Sequence, residues 1–352
     1  MKRGIVFALL AAATFGASTP LAKMLVGAVA PVALAGLLYA GSGVGLLACY
    51  CVRGWYGRAE PRGAAGLART DLAWLAAAIL FGGVAGPVLL MVGLSRLAGS
   101  SASLLLNLEG VLTALLAWCV FKENVDRRIL LGMLLIVAGG LVLAWDHGAG
   151  ITGAGSLGVL AVVGACLCWA IDNNLTRKIA DSDALQIACI KGLAAGVVNL
   201  TIAYALGLAL PSASLIAATG VVGFCGYGLS LVLFVLALRS LGTARTGAYF
   251  SAAPFVGALV SLALLGETPA PGFWLGGALM AAGIALHLNE RHAHTHTHMA
   301  EQHTHRHRHD AHHQHAHDAG WDGSEPHSHA HQHVEQTHTH VHFPDTHHRH
   351  TH

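Results

Sequence analysis

Residues 72–121 read LAWLAAAILFGGVAGPVLLMVGLSRLAGSSASLLLNLEGVLTALLAWCVF, two apolar runs (72–94 and 101–121) parted by a short turn. Arg96 and Glu109 are the only Asp, Glu, Lys or Arg in the stretch. A helix rises 1.5 Å per residue and the hydrocarbon core is about 30 Å thick, so about 20 mostly apolar residues make one crossing. Each run has that length. Two such runs in tandem read as a transmembrane helical hairpin.

Outward from this hairpin the same reading gives ten spans, at 4–22, 31–52, 72–94, 101–121, 129–145, 155–177, 184–207, 213–238, 244–266 and 272–289. The fifth is the shortest, and a locally thin bilayer accommodates it. The first also carries marks of a secretory signal, Met1-Lys2-Arg3 followed by an apolar run and Ala11-Ala12-Ala13. It continues without a break to Lys23, and so reads as a span. The whole chain agrees: of 352 residues, 54% are hydrophobic and 11% charged, with mean hydropathy +0.57, against about 25% charged in soluble proteins. The 43 glycines suit helices that pack closely through small residues. The seven cysteines lie inside apolar runs with no C-x-x-C pair, as packing residues do, and imply no disulfide framework.

Charge tests the count. With the N-terminus inside, thirteen Lys and Arg fall in the inner segments, from Lys2 and Arg3 through Lys122, Arg127 and Arg128 to Arg239 and Arg245; the outer segments hold Lys23 and Arg96. That is a strong positive-inside asymmetry, and an even number of spans returns the C-terminus to the same side.

The chain also repeats. A shift of 144 residues lays 94–145 on 238–289, matching Glu123 to Glu267, Gly132 to Gly276 and Gly139 to Gly283. A shift of 154 lays Phe15–Lys23 on Trp169–Arg177. Five spans per half is an odd number, so the halves are inverted, a design of many secondary transporters. Three segments follow: 1–146 and 147–289, each a five-helix repeat, and 290–352.

That last segment differs in kind. It holds 23 of the 25 histidines and almost no apolar run. It buries too little to offset chain entropy and is expected to be disordered and cytosolic.

The opening Phe15-Gly16-Ala17-Ser18-Thr19-Pro20-Leu21-Ala22-Lys23 carries a family likeness, as do two endings. One runs Leu112–Trp118, Lys122-Glu123 and Leu131-Gly132 to Gly140; the other runs Pro254-Phe255 to Gly266-Glu267, then Leu275-Gly276-Gly277 to Gly283. Together these resemble the EamA-type permeases of the drug/metabolite transporter superfamily, over about 1–289. The resemblance implies ten helices in two inverted repeats, and movement of metabolites, amino acids or drugs, usually coupled to ion gradients. One departure stands out. The second half has Ala253-Pro254 where the first has Glu109-Gly110, and the family usually has proline in both.

An ionisable group at the centre of a membrane helix costs about 2.5–3.5 kcal/mol by insertion scales, so it needs a partner or water. Glu109 lies near the midplane of the fourth span. Hydrocarbon disfavours its charged form, which suits a proton-coupling group or a cation ligand; a hydrogen-bonded structural carboxylate is the alternative. Asp172 and Lys191 lie at similar depth on the consecutive sixth and seventh spans, so an ion pair is expected, either a structural bridge or part of a gate or substrate site. Asn173 and Asn174 add polar groups that lipid would not tolerate. Asn107, two residues from Glu109, is expected to point elsewhere. Gly82 and Gly226 meet under the 144 shift within interrupted third and eighth spans, which marks either a transport path or close packing. Lys23, Lys122 and Glu123 lie at helix ends and read as snorkelling or capping residues.

In the tail, imidazoles recur at alternate positions: His292, His294, His296, His298, His303, His305, His307 and His309, then His312, His313, His315 and His317. Neutral imidazole binds Ni, Co, Zn or Cu, and this loose spacing does not choose among them. A pH-responsive tail is the other reading. There is no phosphate-cradling Gly-Lys loop and no soluble domain for an active site, so an enzyme is not expected, no cofactor is required, and the scattered basic residues exclude a nucleic-acid surface. The expected protein is a multi-pass permease of a bacterial inner membrane, with both ends cytoplasmic, working by alternating access on a small-molecule or ion substrate. A homodimer is compatible with this pattern. The alternative is a metal sensor or store anchored by a degenerate permease body.

Overall fold

The computed structural model describes residues 2–55, 71–121, 127–146, 154–176, 179, 184–241, 243–288, 292–298, 302–307, 327–332 and 336–342. The chain forms two units, one comprising Met1–Gly57 and Gly66–Asn289, the other built on Glu290–His352.

Among the described residues the first unit is helical. Its elements are α1 (Lys2–Val26), α2 (Pro31–Trp55), α3 (Leu72–Ala78), α4 (Gly86–Leu94), α5 (Gly99–Leu105), α6 (Leu108–Phe121) and α7 (Arg127–Asp146), then α8 (Ala154–Thr176), α9 (Ala184–Ala205), α10 (Ala213–Gly223), α11 (Ser230–Leu241), α12 (Thr243–Phe250), α13 (Ala253–Leu265) and α14 (Pro271–Leu288). Among the described residues eight helical stretches are long and apolar enough to cross a membrane, from Arg3–Val26 to Ala213–Ala237. Two shorter apolar helices follow, Ala253–Leu265 and Pro271–Leu286. The ninth expected span, 244–266, is therefore not one helix. It breaks after Phe250 and restarts at Ala253, where Pro254 stands in the first turn of α13; proline fits there because its missing N–H would be unpaired anyway.

The two halves share their interruptions. The third span widens to a π-helical segment at Ile79–Ala85, between α3 and α4; the eighth does so at Phe224–Leu229, between α10 and α11. The 144 shift carries one onto the other. The fourth span breaks at Leu106-Asn107, whose N–H groups turn back to the carbonyls of Ser103 and Leu104. The same shift carries this break onto the one between α12 and α13.

Close backbone approach holds the halves together. A Cβ at Gly139 would meet the Gly276 carbonyl at 2.6 Å, and one at Gly283 the Gly132 carbonyl at 2.6 Å, so α7 and α14 touch main chain to main chain. Helices α2 and α9 do likewise, where a Cβ at Gly196 would lie 2.7 Å from Ala40 N. This is small-residue packing as membranes require it, since lipid gives apolar side chains no reason to leave it. Trp145 and Tyr204, at the ends of α7 and α9, are exposed, as interfacial anchors are.

The segment 290–352 is expected to carry no regular structure, and its described residues form four strands. β1 (His292–His298) pairs antiparallel with β4 (Gln336–His342), and β2 (Gln302–His307) with β3 (His327–Gln332). The cause lies in the sequence: a histidine at every second position, alternating in part with β-branched Thr, has the strand period. The register sets His294 opposite His340 and His305 opposite His329. His309, His312, His313, His315 and His317 lie outside the described residues, as do Lys122 and Glu123.

Candidate functional site

One cluster of polar and charged side chains joins α6, α8 and α9. Near the end of α8, Asp172 meets Lys191 of α9: Lys191 Nζ donates to Asp172 Oδ1 at 2.6 Å and to Oδ2 at 2.7 Å. Thr176, one turn beyond Asp172, donates to Asp172 Oδ1 at 2.9 Å and accepts from Lys191 Nζ at 3.4 Å. The expected pair is thus present, and both carboxylate oxygens are engaged by one ammonium.

Asn173, the next residue, points to α6. Its amide donates to Glu109 Oε1 at 2.9 Å and to Thr113 Oγ1 at 3.3 Å. Asn174 turns inward, donating to the Thr113 carbonyl at 3.3 Å and to Ala170 O at 2.9 Å. Thus Asp172, Asn173 and Asn174 point to different partners, and Asn173 ties Glu109 to α8. Glu109 is half-buried in the first turn of α6, just past the helix break. Among the described residues no cation pairs with it. Asn107 diverges as expected, donating to Leu104 O at 2.9 Å and, at 3.7 Å, to Met280 Sδ on α14. The break brings Glu109 N–H to Leu106 O, and the Leu105 carbonyl receives the Cys166 thiol of α8 at 3.7 Å.

The π-helical segment of the third span adjoins this cluster. A widened turn shifts each amide to the fifth carbonyl back, and Gly86 N–H bonds Phe81 O. Pro87 has no N–H, so the Gly82 and Gly83 carbonyls face a missing donor. Three other helices fill the gap. Tyr39 Oη (α2) and Trp169 Nε1 (α8) donate to Gly82 O at 2.8 and 3.0 Å, and Asn199 Nδ2 (α9) donates to Gly83 O at 3.0 Å. A Cβ on Gly82 would strike the Asp172 carboxylate, so glycine is needed for α8 to come this close.

Gly226 repeats the arrangement without the charge. A Cβ there would strike Ser18 of α1, and Ser18 corresponds to Asp172 under the 154 shift. Around Gly226 lie rings in place of ions. Tyr227 packs on Phe15 (centroids 6.0 Å apart) and on Tyr39 (5.5 Å), and Phe15 packs on Phe250 (5.5 Å). Glu109 corresponds to Ala253, and Asn173 and Asn174 to Thr19 and Pro20.

At the other end of the fold, Glu267 caps α5. Gly99 N donates to its Oε1 at 2.7 Å and Ser100 N to Oε2 at 2.9 Å. Lys23 Nζ donates to Leu94 O, at the end of α4, at 2.5 Å. Sequence reasoning missed Tyr39, Thr113, Trp169, Thr176 and Asn199. Only Asn199, an amide inside an apolar run, carried a signal of its own.

Two stretches, residues 2–145 and 156–289, match the family described as the EamA-like transporter family. An uncharacterized transporter of Methanothermobacter thermautotrophicus is 29% identical over 221 residues, which are 61% of this chain and 64% of the relative. The chain thus spans a little under two thirds of that relative's length. A protein of known crystal structure superposes with a TM-score of 0.59 at 20% identity, over 80% of this chain and 94% of that one. At that identity the likeness is one of fold.

Proposed function

The chain belongs to the EamA-like transporter family, and we propose that it is a ten-span secondary transporter of a small solute, working by alternating access between two inverted five-helix repeats. The observation that carries this reading is the matched pair of interruptions, π-helical segments at Ile79–Ala85 and Phe224–Leu229 and breaks before α6 and α13, with a polar cluster beside one set. Irregular backbone at membrane depth is tolerated where protein or a water-filled path receives it, and paired interruptions in two repeats point to the path.

Glu109 is the coupling group in this reading. Asn173 and Asn174 line the path beside it, the Asp172–Lys191 bridge fixes α8 against α9, and Gly82 and Gly226 let the helices close. The positive-inside asymmetry supports a plasma-membrane protein with both ends cytoplasmic. The histidine tail, from His292 onward, binds a transition metal from the cytosolic side. Flux into reconstituted vesicles, with and without a pH gradient, tests the permease. Glu109→Gln is expected to abolish gradient-driven flux while the protein still inserts, and unchanged flux would remove the residue's role. Deleting 290–352 is expected to leave flux intact and to abolish metal binding. A body that moves nothing, with metal tolerance alone altered, would favour the anchored metal store.

A further inference from the structure

We infer that the transported solute is an organic cation bearing an ammonium group and no carboxylate, and that it exchanges with a proton at Glu109. This rests on the permease reading and narrows its substrate.

The charge inventory around Glu109 carries the argument. On α8, Asp172 has both oxygens on the Lys191 ammonium, at 2.6 and 2.7 Å, so each cancels the other. Cys166, also on α8, donates to a backbone carbonyl, and Tyr39 on α2 donates to Gly82 O. Helix α7, packed on α6, carries charged residues only at its ends, Arg127, Arg128 and Asp146. Glu109 is left with an amide as its partner, and no cation among the described residues. An ionised carboxylate at that depth demands a positive charge. Bound solute supplies it in one state and a proton in the other.

The donor set separates cations. No group of three His, Cys, Asp or Glu that could hold a metal occurs among the described residues of the helical unit, whereas transition metals require several such ligands. One carboxylate beside the Thr113 hydroxyl and the Asn173 carbonyl oxygen, which accepts no hydrogen bond among the described residues, suits an ammonium, which donates three hydrogen bonds and accepts none. An amino acid would bring a carboxylate of its own. Lys191, the cation near it among the described residues, gives two donors to Asp172 and its third to Thr176 at 3.4 Å, so its charge is already matched and offers a second carboxylate little.

The test uses the full-length protein and matched pairs that differ by a carboxylate: phenethylamine and phenylalanine, cadaverine and lysine, histamine and histidine. Proton release on binding is read with an indicator in weak buffer, alongside affinity at several pH values. The amines are expected to release protons and their acids not to. Apparent affinity for an amine is expected to fall as pH falls, by up to about tenfold per unit once Glu109 is protonated. Glu109→Gln should remove both the release and the pH dependence, and Glu109→Asp should keep them. Nickel chloride is run in parallel and counted only for the part of its signal that Glu109→Gln abolishes, because the tail also binds metal. Equal response to amine and acid, release that survives Glu109→Gln, or a Glu109-dependent signal with nickel alone would each overturn the inference. The wild-type comparison does not depend on how any variant folds. Gradient-driven flux of an acid in vesicles would sink the cation while sparing the permease; absence of all flux would sink both.

Discussion

Asp172→Leu should be among the most destabilising single substitutions in the helical unit, and Lys191→Met should restore most of the loss. The Lys191 and Asp172 side chains are 17% and 10% exposed, and two contacts of 2.6 and 2.7 Å join them. Removing one member of such a pair leaves the other charge buried, which costs about 3–5 kcal/mol. The slight exposure puts the expected cost near the lower figure. Thr176, at 3.4 Å, is the partner left to the ammonium and is neutral. A cost of about 3 kcal/mol exceeds a hundredfold in the folding equilibrium. Hydrogen bonds between membrane helices average about 0.6 kcal/mol, so that size of effect would identify the charge as its cause. Asp172→Asn is the control: it keeps an acceptor and loses the charge, and should still cost about as much as Asp172→Leu. The assay is reversible unfolding in mixed micelles, run as a double-mutant cycle. Apolar replacement of both members is expected to return stability close to wild type. Singles that each cost under about 1 kcal/mol, or a double that costs their sum, would refute the buried pair.

Gly82→Ala and Gly226→Ala should each cost about 1–3 kcal/mol by overpacking, because their Cβ atoms land on Asp172 and Ser18; Gly110→Ala, which meets nothing within 4 Å, should cost far less, and the same unfolding assay compares the three. Glu267→Ala removes the carboxylate that accepts Gly99 and Ser100 N–H at the start of α5 and should cost about 0.5–2 kcal/mol, with Glu267→Gln intermediate. Asn199→Ala should cost about 1–3 kcal/mol, because it strips the Gly83 carbonyl of its donor where Pro87 supplies none.

The spans were legible because hydropathy is a property of composition, and lipid selects composition over some twenty residues at a time. The Asp172–Lys191 bridge was legible for a similar reason: two ions at one depth on consecutive antiparallel helices have few other places to go. The Glu109–Asn173 contact was not, since the fourth and sixth spans are not neighbours in sequence and only the packed structure brings them together. The break within 244–266 escaped because Ser251-Ala252 reads as apolar helix, and a turn of changed hydrogen bonding leaves no trace in hydropathy. The π-helical segments lay in between. Gly82-Gly83 and Gly86-Pro87 marked an interruption, but that Tyr39, Trp169 and Asn199 would supply the missing donors could not be read from three distant helices. In the tail, alternating histidine carries the strand period as well as a run of ligands, and the low apolar content hides the strand.

The two repeats agree in backbone and disagree in chemistry, a division that the proposed inverted arrangement would demand. If the states facing each side are made by exchanging the roles of two like halves, both halves need the same points of bending, and both have them. Binding a solute near a shared axis needs only one set of polar groups. Asp172, Asn173 and Glu109 occupy positions that the other half fills with Ser18, Thr19 and Ala253. The break before α13 is made with Pro254, which forfeits nothing in the first turn. The break before α6 forms without proline, and a carboxylate stands at its start. Free amide groups at a helix start carry about half a positive charge, so the first turn that in one half takes proline, Pro254 opposite Gly110, in the other suits an anion one residue earlier, at Glu109. Moving the carboxylate to the other half, as Glu109→Ala with Ala253→Glu, would place it at the start of α13 beside Pro254 and Phe250 but away from Asn173. That variant should insert less well than wild type and lose proton exchange. Exchange undiminished in it would mean that the helix start alone, without α8, is enough to make the site.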